Sequence, residues 1–441
     1  MRSVFYRNLH KTYPTAVSAK GMYIVDETGK AYLDMSGGAA VSCLGHQHPV
    51  VVQKLTAQIE QMSFAHTAFF SNQPQEQLAQ KLADRFCEPN AKVYFTSGGS
   101  EANETAIKMA WQYWRAKGQP TKQKIISRQH SYHGNTLGAL SASGNMARRR
   151  EMGDLLLNWP RIEPCYAYRH QRPNESEAAY GLRAANLLES CILREGANSI
   201  AAFIAEPVVG ASLGVVTAAA GYFKRIAEIC DQYDILLIAD EIMCGTGRTG
   251  SFFAHEQEGF VPDMVTLAKG LAGGYQPLAA TIVRARIHQE FAKSPAGFSH
   301  GHTYVGHASA CAAGLAVIEV IEQENLLARV QTKGERLQQQ LQQAFGEHDF
   351  IGDIRGRGLF CGIEIVADKT SKRTFADADK ITAKLHRLTM KHGLICYPGG
   401  GSEQDDLGSH ILLAPPFILA DEHIDLLIKK LRLIFAELFY E

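Results

Sequence analysis

The chain has 441 residues, 46% of them hydrophobic, which is enough for two joined domains with a large buried core. Its 45 basic and 45 acidic residues cancel, so charge gives no reason to expect a nucleic acid or an anionic membrane as a partner. No uncharged apolar run is long enough to cross a bilayer, the first residues lack the apolar core of a signal peptide, and the nine cysteines form no CxxC pair. These features predict a cytoplasmic protein with reduced thiols.

Short apolar strands and helices alternate over much of the chain. Residues 21–35 are predicted to form two strands joined by a turn, and from about residue 53 to residue 310 strands alternate with helical segments. Short strands rich in Val, Ile and Leu are typical of a parallel sheet covered on both faces. The strand candidates are residues 92–95, 124–127, 200–206, 235–240 and 264–268.

Helices dominate the last part of the sequence. Residues 308–345 are predicted to be helical, and the final segment, 423–440, is amphipathic, which favours a packed surface helix over a membrane anchor. We predict an α/β fold with a large domain over 53–310, built on a mostly parallel central sheet, and a smaller α+β domain formed by 1–52 and 311–441. The core-facing positions of the 308–345 segment are Leu326, Val330, Leu337, Leu341 and Phe345.

A glycine-rich loop follows the strand over 92–95. Gly98 and Gly99 carry no side-chain bulk, and Ser100 is predicted to be the N-cap of the helix that follows. The N-terminus of a helix offers free backbone N–H groups and the positive end of the helix dipole, which suit a phosphate group. The alternative is an ordinary capped helix with Glu101 near its start, and on this loop alone that alternative is favoured.

Two charged residues end the neighbouring strands. Asp240 ends an apolar strand, so its carboxylate needs a partner. A cationic ligand group is one interpretation, and a helix cap or a structural ion pair, for example with Arg248, is an equally good one. Lys269 ends the next strand, where burial would lower its pKa and make it a nucleophilic amine able to form a Schiff base. A surface lysine is the commoner alternative at any single position.

The three features are predicted to meet at one edge of the sheet. Ligands of open parallel sheets bind beyond the carboxyl ends of the strands. A phosphate cradle, a carboxylate and a lysine at that edge match pyridoxal 5'-phosphate (PLP), with its phosphate on the helix, its aldehyde on the lysine and its ring nitrogen on the acid. No spacing among the 17 histidines indicates a metal site.

Several longer motifs occur in a family-specific order. They include TSGGSEANETAIKMA, SYHGNT, AEPVVG, ADEIMCGTGRTGSFFAHE, PDMVTLAKGLAGGYQPLAA and GHTYVGHASACAAGLA. With these motifs the chain resembles the class III (omega) aminotransferases, PLP-dependent enzymes of fold type I, from about residue 21 to residue 417.

The resemblance implies catalytic roles for Lys269 and Asp240. Lys269 would hold PLP as a Schiff base and then move the proton between substrate and cofactor. Asp240 would pair with the ring nitrogen and keep it protonated, and Glu206 would lie beside Asp240 in the same network. His133 would orient its neighbours, although a general-base role is the alternative.

The resemblance also implies how the cofactor is held. Gly99 and Ser100 would bind its phosphate, and Thr303 would reach the same phosphate from a neighbouring subunit, which implies a homodimer with the site at the interface; a tetramer is the alternative. Tyr132 and Ile242 would pack on the two faces of the ring, with an ordinary core role as the alternative.

The chain departs from the family at the substrate pocket. Members that act on amino acids carry an arginine where this chain has Leu412, and many carry a glutamate where it has Ala211. A glutamine is common at the position of Val209. We therefore expect an apolar pocket whose amine donor is a terminal (omega) amine.

The carboxylate of the keto acid then needs another cation. Candidates are found in one basic run and at one further position, where a solvated basic patch is an equally good interpretation. Phe69 and Phe70 lie where the family builds its pocket roof, or they pack between subunits. The candidate cations are Arg148, Arg149, Arg150 and Arg169.

The predicted reaction is amino transfer from an amine or omega-amino acid to pyruvate or 2-oxoglutarate by a ping-pong mechanism. A PLP-dependent aminomutase, epimerase or decarboxylase would share Lys269 and Asp240, so these are the alternatives within the family. A regulator built on this fold and a cofactor-free Schiff-base lyase fit the motifs less well.

Overall fold

The computed structural model describes residues 3–86, 88–400 and 407–440. The strands are β1 (Ala16–Lys20), β2 (Tyr23–Asp26), β3 (Ala31–Asp34), β4 (Lys92–Thr96), β5 (Lys124–Arg128), β6 (Arg161–Ile162), β7 (Ile200–Ala205), β8 (Val208–Val209), β9 (Val216–Thr217), β10 (Leu236–Asp240), β11 (Met264–Leu267), β12 (Ala279–Val283), β13 (Ile351–Arg357), β14 (Phe360–Ile365), β15 (Leu394–Ile395), β16 (Tyr397–Gly399) and β17 (His410–Leu413). The helices are α1 (Gly37–Ala40), α2 (Pro49–Gln61), α3 (Gln73–Arg85), α4 (Gly99–Ala116), α5 (Leu137–Ala142), α6 (Met146–Arg149), α7 (Ala167–His170), α8 (Glu177–Glu195), α9 (Tyr222–Gln232), α10 (Ala285–Ala292), α11 (Ala308–Gln323), α12 (Leu326–Phe345), α13 (Ala378–Lys391) and α14 (Asp421–Phe439).

A seven-stranded sheet forms the centre of the protein. Its strand order is β4-β12-β11-β10-β7-β5-β6, and only β12 runs antiparallel to its neighbours. Each of the five predicted strands is present within one residue at either end. The prediction of an α/β fold with a mostly parallel sheet is confirmed.

Strand β12 was not predicted, for a physical reason. An antiparallel neighbour needs no crossover helix, and only a short 3-10 turn over Lys269–Leu271 and a loop separate β11 from β12. Because the prediction relied on strands that alternate with helices, it contained no strand at this position. The two-residue strand β6 is too short to give a sequence signal.

Both faces of the sheet are covered. Every residue of β7 and β10 is buried, as the apolar runs require. Helices α8 and α9 pack against each other in one core cluster, and α4 contributes Ala106, Trp114 and other apolar residues to another. The sheet is therefore a rigid platform for the residues at its strand ends.

Smaller sheets combine the two ends of the chain. The first has the order β1-β2-β3-β15, in which β3 pairs in parallel with β15, and the second has the order β13-β14-β17-β16. The predicted domain boundaries, 52/53 and 310/311, fall inside helices α2 and α11, which pack on each other. The division of the chain into these three segments stays a prediction.

The C-terminal helices follow their predicted pattern. The helical region over 308–345 is interrupted once, at Asn325, whose φ of 49° separates α11 from α12. Helix α14 buries one apolar face against the core, and among the residues described here no helix has the length and apolarity that crossing a membrane requires. The five predicted core positions of α12 are all buried: Leu326, Val330, Leu337, Leu341 and Phe345.

Candidate active site

Four successive parallel strands of the large sheet end in charged residues at one edge. Strands β11, β10, β7 and β5 are neighbours in that order. Lys269 follows β11, Asp240 ends β10, Glu206 follows β7 and Arg128 ends β5. The sheet topology therefore gathers two cations and two carboxylates at the edge where α/β proteins bind ligands.

Lys269 lies in a tight turn and is partly buried. Its φ is 46°, a left-handed conformation that costs about 1 kcal/mol in a residue other than glycine. Burial lowers the pKa of its amine, and the nearby Asp240 and Glu206 carboxylates act in the opposite direction. In the described parts of the chain the amine has no hydrogen-bond partner. The turn therefore presents to the site an amine that is partly removed from water and makes no hydrogen bond to a described residue.

The buried Asp240 carboxylate is oriented by three donors. Its Oδ2 accepts hydrogen bonds from Asn103 Nδ2 and from His133 Nδ1, each at 2.7 Å. Its Oδ1 accepts the backbone N–H of Ile242 at 3.1 Å. These contacts fix the plane of the carboxylate.

The alternative prediction that Asp240 pairs with Arg248 is wrong. Arg248 is buried, but its Nη1 donates to the carbonyl oxygens of Leu359 at 2.9 Å and Pro415 at 2.5 Å. Its guanidinium also lies over the Phe417 ring. Arg248 therefore joins the C-terminal segment to the large sheet and is not the counter-ion of Asp240.

Asn103 is a site residue that the sequence analysis missed. Its Nδ2 also donates to the His133 carbonyl oxygen at 2.6 Å, and its Oδ1 accepts from the Thr266 hydroxyl at 2.8 Å. Both Asn103 and Thr266 are fully buried. A polar residue on the otherwise apolar face of α4 was the available signal, because buried amides must be hydrogen-bonded.

Replacing Asn103 by alanine is expected to lower the free energy of unfolding by about 1–3 kcal/mol. The change leaves the Thr266 hydroxyl without its acceptor and removes one donor from Asp240. Urea denaturation measures the effect, and Thr266→Val, which removes only the hydroxyl end of the network, should lie between Asn103→Ala and the wild type. Equal stability of Asn103→Ala and wild type would contradict this role.

A second buried network surrounds Glu206. Arg128 Nη2 donates to the backbone oxygen of Glu206 at 2.6 Å and lies 3.2 Å from its Oε2. Glu206 Oε1 accepts the backbone N–H of Tyr132 at 3.0 Å. His133 Nε2 lies 4.0 Å from Glu206 Oε2 and has no hydrogen-bond partner among the described residues. Glu206 thus lies beside the Asp240 network and fixes the backbone of Tyr132.

The glycine-rich loop has the shape of an anion cradle. The N-cap of α4 is Gly98 and not the predicted Ser100, which lies in the first turn. Gly98 provides no side-chain cap, so the first N–H groups of the helix are open. A Cβ on Gly99 would lie 2.8 Å from Ile242 Cγ2, so only glycine permits this approach. Ser100 Oγ accepts the backbone N–H of Asn135 at 3.0 Å. An uncapped helix end, an oriented carboxylate and an uncommitted amine fit the phosphate, ring nitrogen and aldehyde of PLP.

The remaining cofactor-binding candidates differ in placement. Ile242 packs against Gly99 and the small cluster that contains Ala268, next to the turn at Lys269. Tyr132 is partly buried, and its backbone N–H donates to Glu206 beside the Asp240 network. Thr303 is exposed on the loop before α11, and no described contact joins it to the glycine-rich loop of the same chain.

Three positions that depart from the family pattern lie among apolar side chains: Leu412, Ala211 and Val209. Leu412 belongs to a cluster with Phe360, and Ala211 and Met243 pack against it. Val209 packs in an adjacent cluster beside Tyr166, Leu213 and Val216. Leu412 and Ala211 therefore lie in one apolar region, as expected of positions that lost an ion pair together.

Comparison with known proteins places the chain in a family. The model of class III aminotransferases matches residues 5–435. An uncharacterized aminotransferase of Schizosaccharomyces pombe is 40% identical over 97% of this chain and 94% of its own length. Gamma aminobutyrate transaminase 3 of Solanum lycopersicum is 38% identical over 93% of this chain and 78% of its own.

Solved structures agree with this assignment. A thermostable (S)-enantioselective omega-transaminase from Thermomicrobium roseum superposes with a TM-score of 0.91 and 36% identity, covering 97% of this chain and 93% of that one. A PMP-bound aminotransferase from Vibrio fluvialis gives a TM-score of 0.91 and 33% identity with the same coverage. This protein therefore belongs to the class III aminotransferases, PLP-dependent enzymes of fold type I.

Proposed function

We propose that this aminotransferase moves an amino group from an amine or omega-amino acid to a keto acid, pyruvate or 2-oxoglutarate, by a ping-pong mechanism. The observation that carries the omega preference is that Leu412 and Ala211 pack in one hydrophobic cluster, where neither side chain can pair with the carboxylate of an α-amino acid. The family supports amino transfer itself, and relatives named as omega-transaminases and gamma aminobutyrate transaminases support the substrate class.

Lys269 and Asp240 carry the chemistry in this proposal. PLP, when bound, supplies an electron sink for the charge that develops at the substrate carbon. Lys269 holds the cofactor and then carries a proton on Nζ to and from the substrate carbon, because its amine has no competing partner in the described chain. Asp240, held by Asn103 and His133, keeps a proton on the ring nitrogen.

The other predicted residues bind and orient. Gly99 and Ser100 present backbone N–H groups to the phosphate, and Tyr132 and Ile242 enclose the ring. Glu206 fixes Tyr132 through its backbone N–H and lies beside the Asp240 network.

Half-reactions test the proposed function. The purified protein is mixed with an omega-amine in the absence of keto acid, and carbonyl product is counted per active site. We expect about one product per site, followed by turnover when pyruvate or 2-oxoglutarate is added. Turnover without a keto acid would indicate an aminomutase or epimerase, release of carbon dioxide would indicate a decarboxylase, and a strong preference for dicarboxylic α-amino acids would contradict the omega preference.

The homodimer is also a proposal, in which the exposed Thr303 completes the phosphate site of the neighbouring subunit. Thr303→Ala is then expected to weaken PLP binding about tenfold or more through loss of a hydrogen bond to a charged group. Equilibrium dialysis of the cofactor measures this loss, and sedimentation velocity measures the oligomeric state.

Subunit mixing provides the control. A dimer of one Lys269→Ala and one Thr303→Ala subunit contains one complete site, because Lys269 and Thr303 would come from different chains. Mixing the two variants under exchange conditions should therefore restore activity above the sum of the separate proteins. Lack of restoration in mixed dimers would contradict the shared site.

A further inference from the structure

We infer that Arg148 binds the carboxylate of the keto-acid substrate at the mouth of the active site, beside Tyr132. The inference rests on the proposed amino transfer and deepens it by naming the cation that the acceptor requires. A keto acid carries a negative charge that must be balanced when it leaves water. Leu412 and Ala211, which pack in one hydrophobic cluster, cannot do so.

The other arginines near the site already have partners. Arg149 Nη1 donates to the carbonyl oxygens of Leu140, Ser141 and Ser143 at 2.6–3.0 Å. The neighbouring Arg161 donates to two of these same carbonyl groups. Both guanidinium groups therefore stabilise the backbone after α5 and are not open to a substrate.

A buried ionic network accounts for Arg169, the candidate outside the basic run. Arg169 Nη2 lies 2.6 Å from Glu364 Oε1, and Arg355 Nη2 lies 2.8 Å from Glu364 Oε2. Arg355 also pairs with Asp353 at 3.0 Å. Two cations thus face two carboxylates, and the network has no excess positive charge for a substrate anion.

Arg148 differs from these residues in its surroundings. It lies on the short helix α6, is exposed, and places its guanidinium carbon 5.1 Å from the centroid of the Tyr132 ring. Stacking on an aromatic face leaves the in-plane N–H groups of a guanidinium available. None of the described residues accepts a hydrogen bond from them.

Tyr132 makes the position of this guanidinium relevant to the reaction. Its backbone N–H is held by Glu206, and its partly buried ring is the one proposed to face the cofactor. The ring has two faces, one for the cofactor and one for Arg148. The fork of N–H donors then lies at the rim of the site, where it can grip a carboxylate with two parallel hydrogen bonds.

Separate half-reactions test the role of Arg148. For Arg148→Gln we expect the second-order rate constant with pyruvate to fall about ten- to hundredfold, the loss typical of a hydrogen bond between charged groups. The constant for an amine without a carboxylate should stay at the wild-type value. Arg148→Lys keeps the charge but not the fork and should recover only part of the loss.

A matched control and a binding readout complete the experiment. Arg115 is also exposed and stacks on an aromatic ring, with its guanidinium carbon 4.7 Å from the centroid of the Trp111 ring near the end of α4. Arg115→Gln should change neither half-reaction. The dissociation constant of propionate, a carboxylate that cannot react, should rise in Arg148→Gln by the same factor as the loss with pyruvate.

Three outcomes would overturn the inference. Equal losses in both half-reactions would mean that Arg148 has a structural role. Tighter cofactor binding with unchanged pyruvate kinetics would mean that the guanidinium competes for Tyr132, and wild-type kinetics throughout would place the carboxylate elsewhere. A wild-type protein that converts no amine would instead overturn the proposed function and this inference together.

Discussion

Replacing Lys269 by alanine is expected to lower the rate of amino transfer by about 10⁴-fold or more. Proton transfer by a positioned side chain alone contributes roughly 10²- to 10⁴-fold, and the variant also loses the covalent attachment of the cofactor. The steady-state rate with a saturating omega-amine and pyruvate measures the loss. Because the substitution removes an amine that burial has partly desolvated, the variant is not expected to be less stable than the wild type.

A second buried lysine gives the control. Lys122 lies over the Trp114 ring, and its amine donates to the carbonyl oxygens of Tyr233 and Asp234. Lys122→Met should lower stability and leave the rate per folded molecule unchanged.

Added methylamine should recover part of the activity of Lys269→Ala, since a small amine can take over the proton transfer. A Lys269→Ala protein within tenfold of the wild-type rate would contradict the assignment.

Replacing Asp240 by asparagine is expected to reduce the rate roughly 10²- to 10³-fold, the usual loss when one preorganised electrostatic group is removed. The amide keeps the size of the side chain but cannot balance a protonated ring nitrogen. It also faces two donors, Asn103 Nδ2 and His133 Nδ1, where the carboxylate accepted from both. The effect should appear in kcat with both amine and keto acid.

Asp263 is the matched carboxylate. It lies just before β11, accepts the backbone N–H of Leu237 at 2.9 Å and pairs with Arg286 at 2.5 Å. Asp263→Asn should lower the free energy of unfolding without changing kcat of the folded protein. If Asp240→Asn and Asp263→Asn had the same small effect on kcat, Asp240 would have only a structural role.

The fold could be predicted well where its cause is local. The five predicted strands are largely apolar runs, and each of them lies within one residue of its predicted bounds. Strand β12 was missed because its antiparallel connection contains no helix, so that the pattern of alternating elements gives no sign of it. Sheet topology was enough to bring Asp240 and Lys269 to one edge.

The contacts around the site could be predicted only in part. Asn103 and Thr266 are 163 positions apart in sequence, and nothing local indicates that they share a hydrogen bond. Arg248 was a reasonable partner for Asp240 by proximity in sequence, but the structure directs it to Pro415 instead. Long side chains reach partners that depend on the packing of distant segments.

The different contacts of the two arginines in α6 could not be predicted from the sequence either. Arg148 and Arg149 are adjacent and chemically identical, so composition cannot separate them. On a helix, neighbouring residues point in different directions. Arg149 accordingly reaches backbone carbonyl groups, whereas Arg148 stacks on Tyr132.

The visible spectrum of the purified protein, before and after addition of an omega-amine without keto acid, tests the central claim most directly. We expect a cofactor absorption band that the amine abolishes, with about one carbonyl product per site, and that pyruvate or 2-oxoglutarate restores. Lys269→Ala should not show this cycle. A wild-type protein that takes up no PLP, or whose band the amine leaves unchanged, would contradict amino transfer at Lys269.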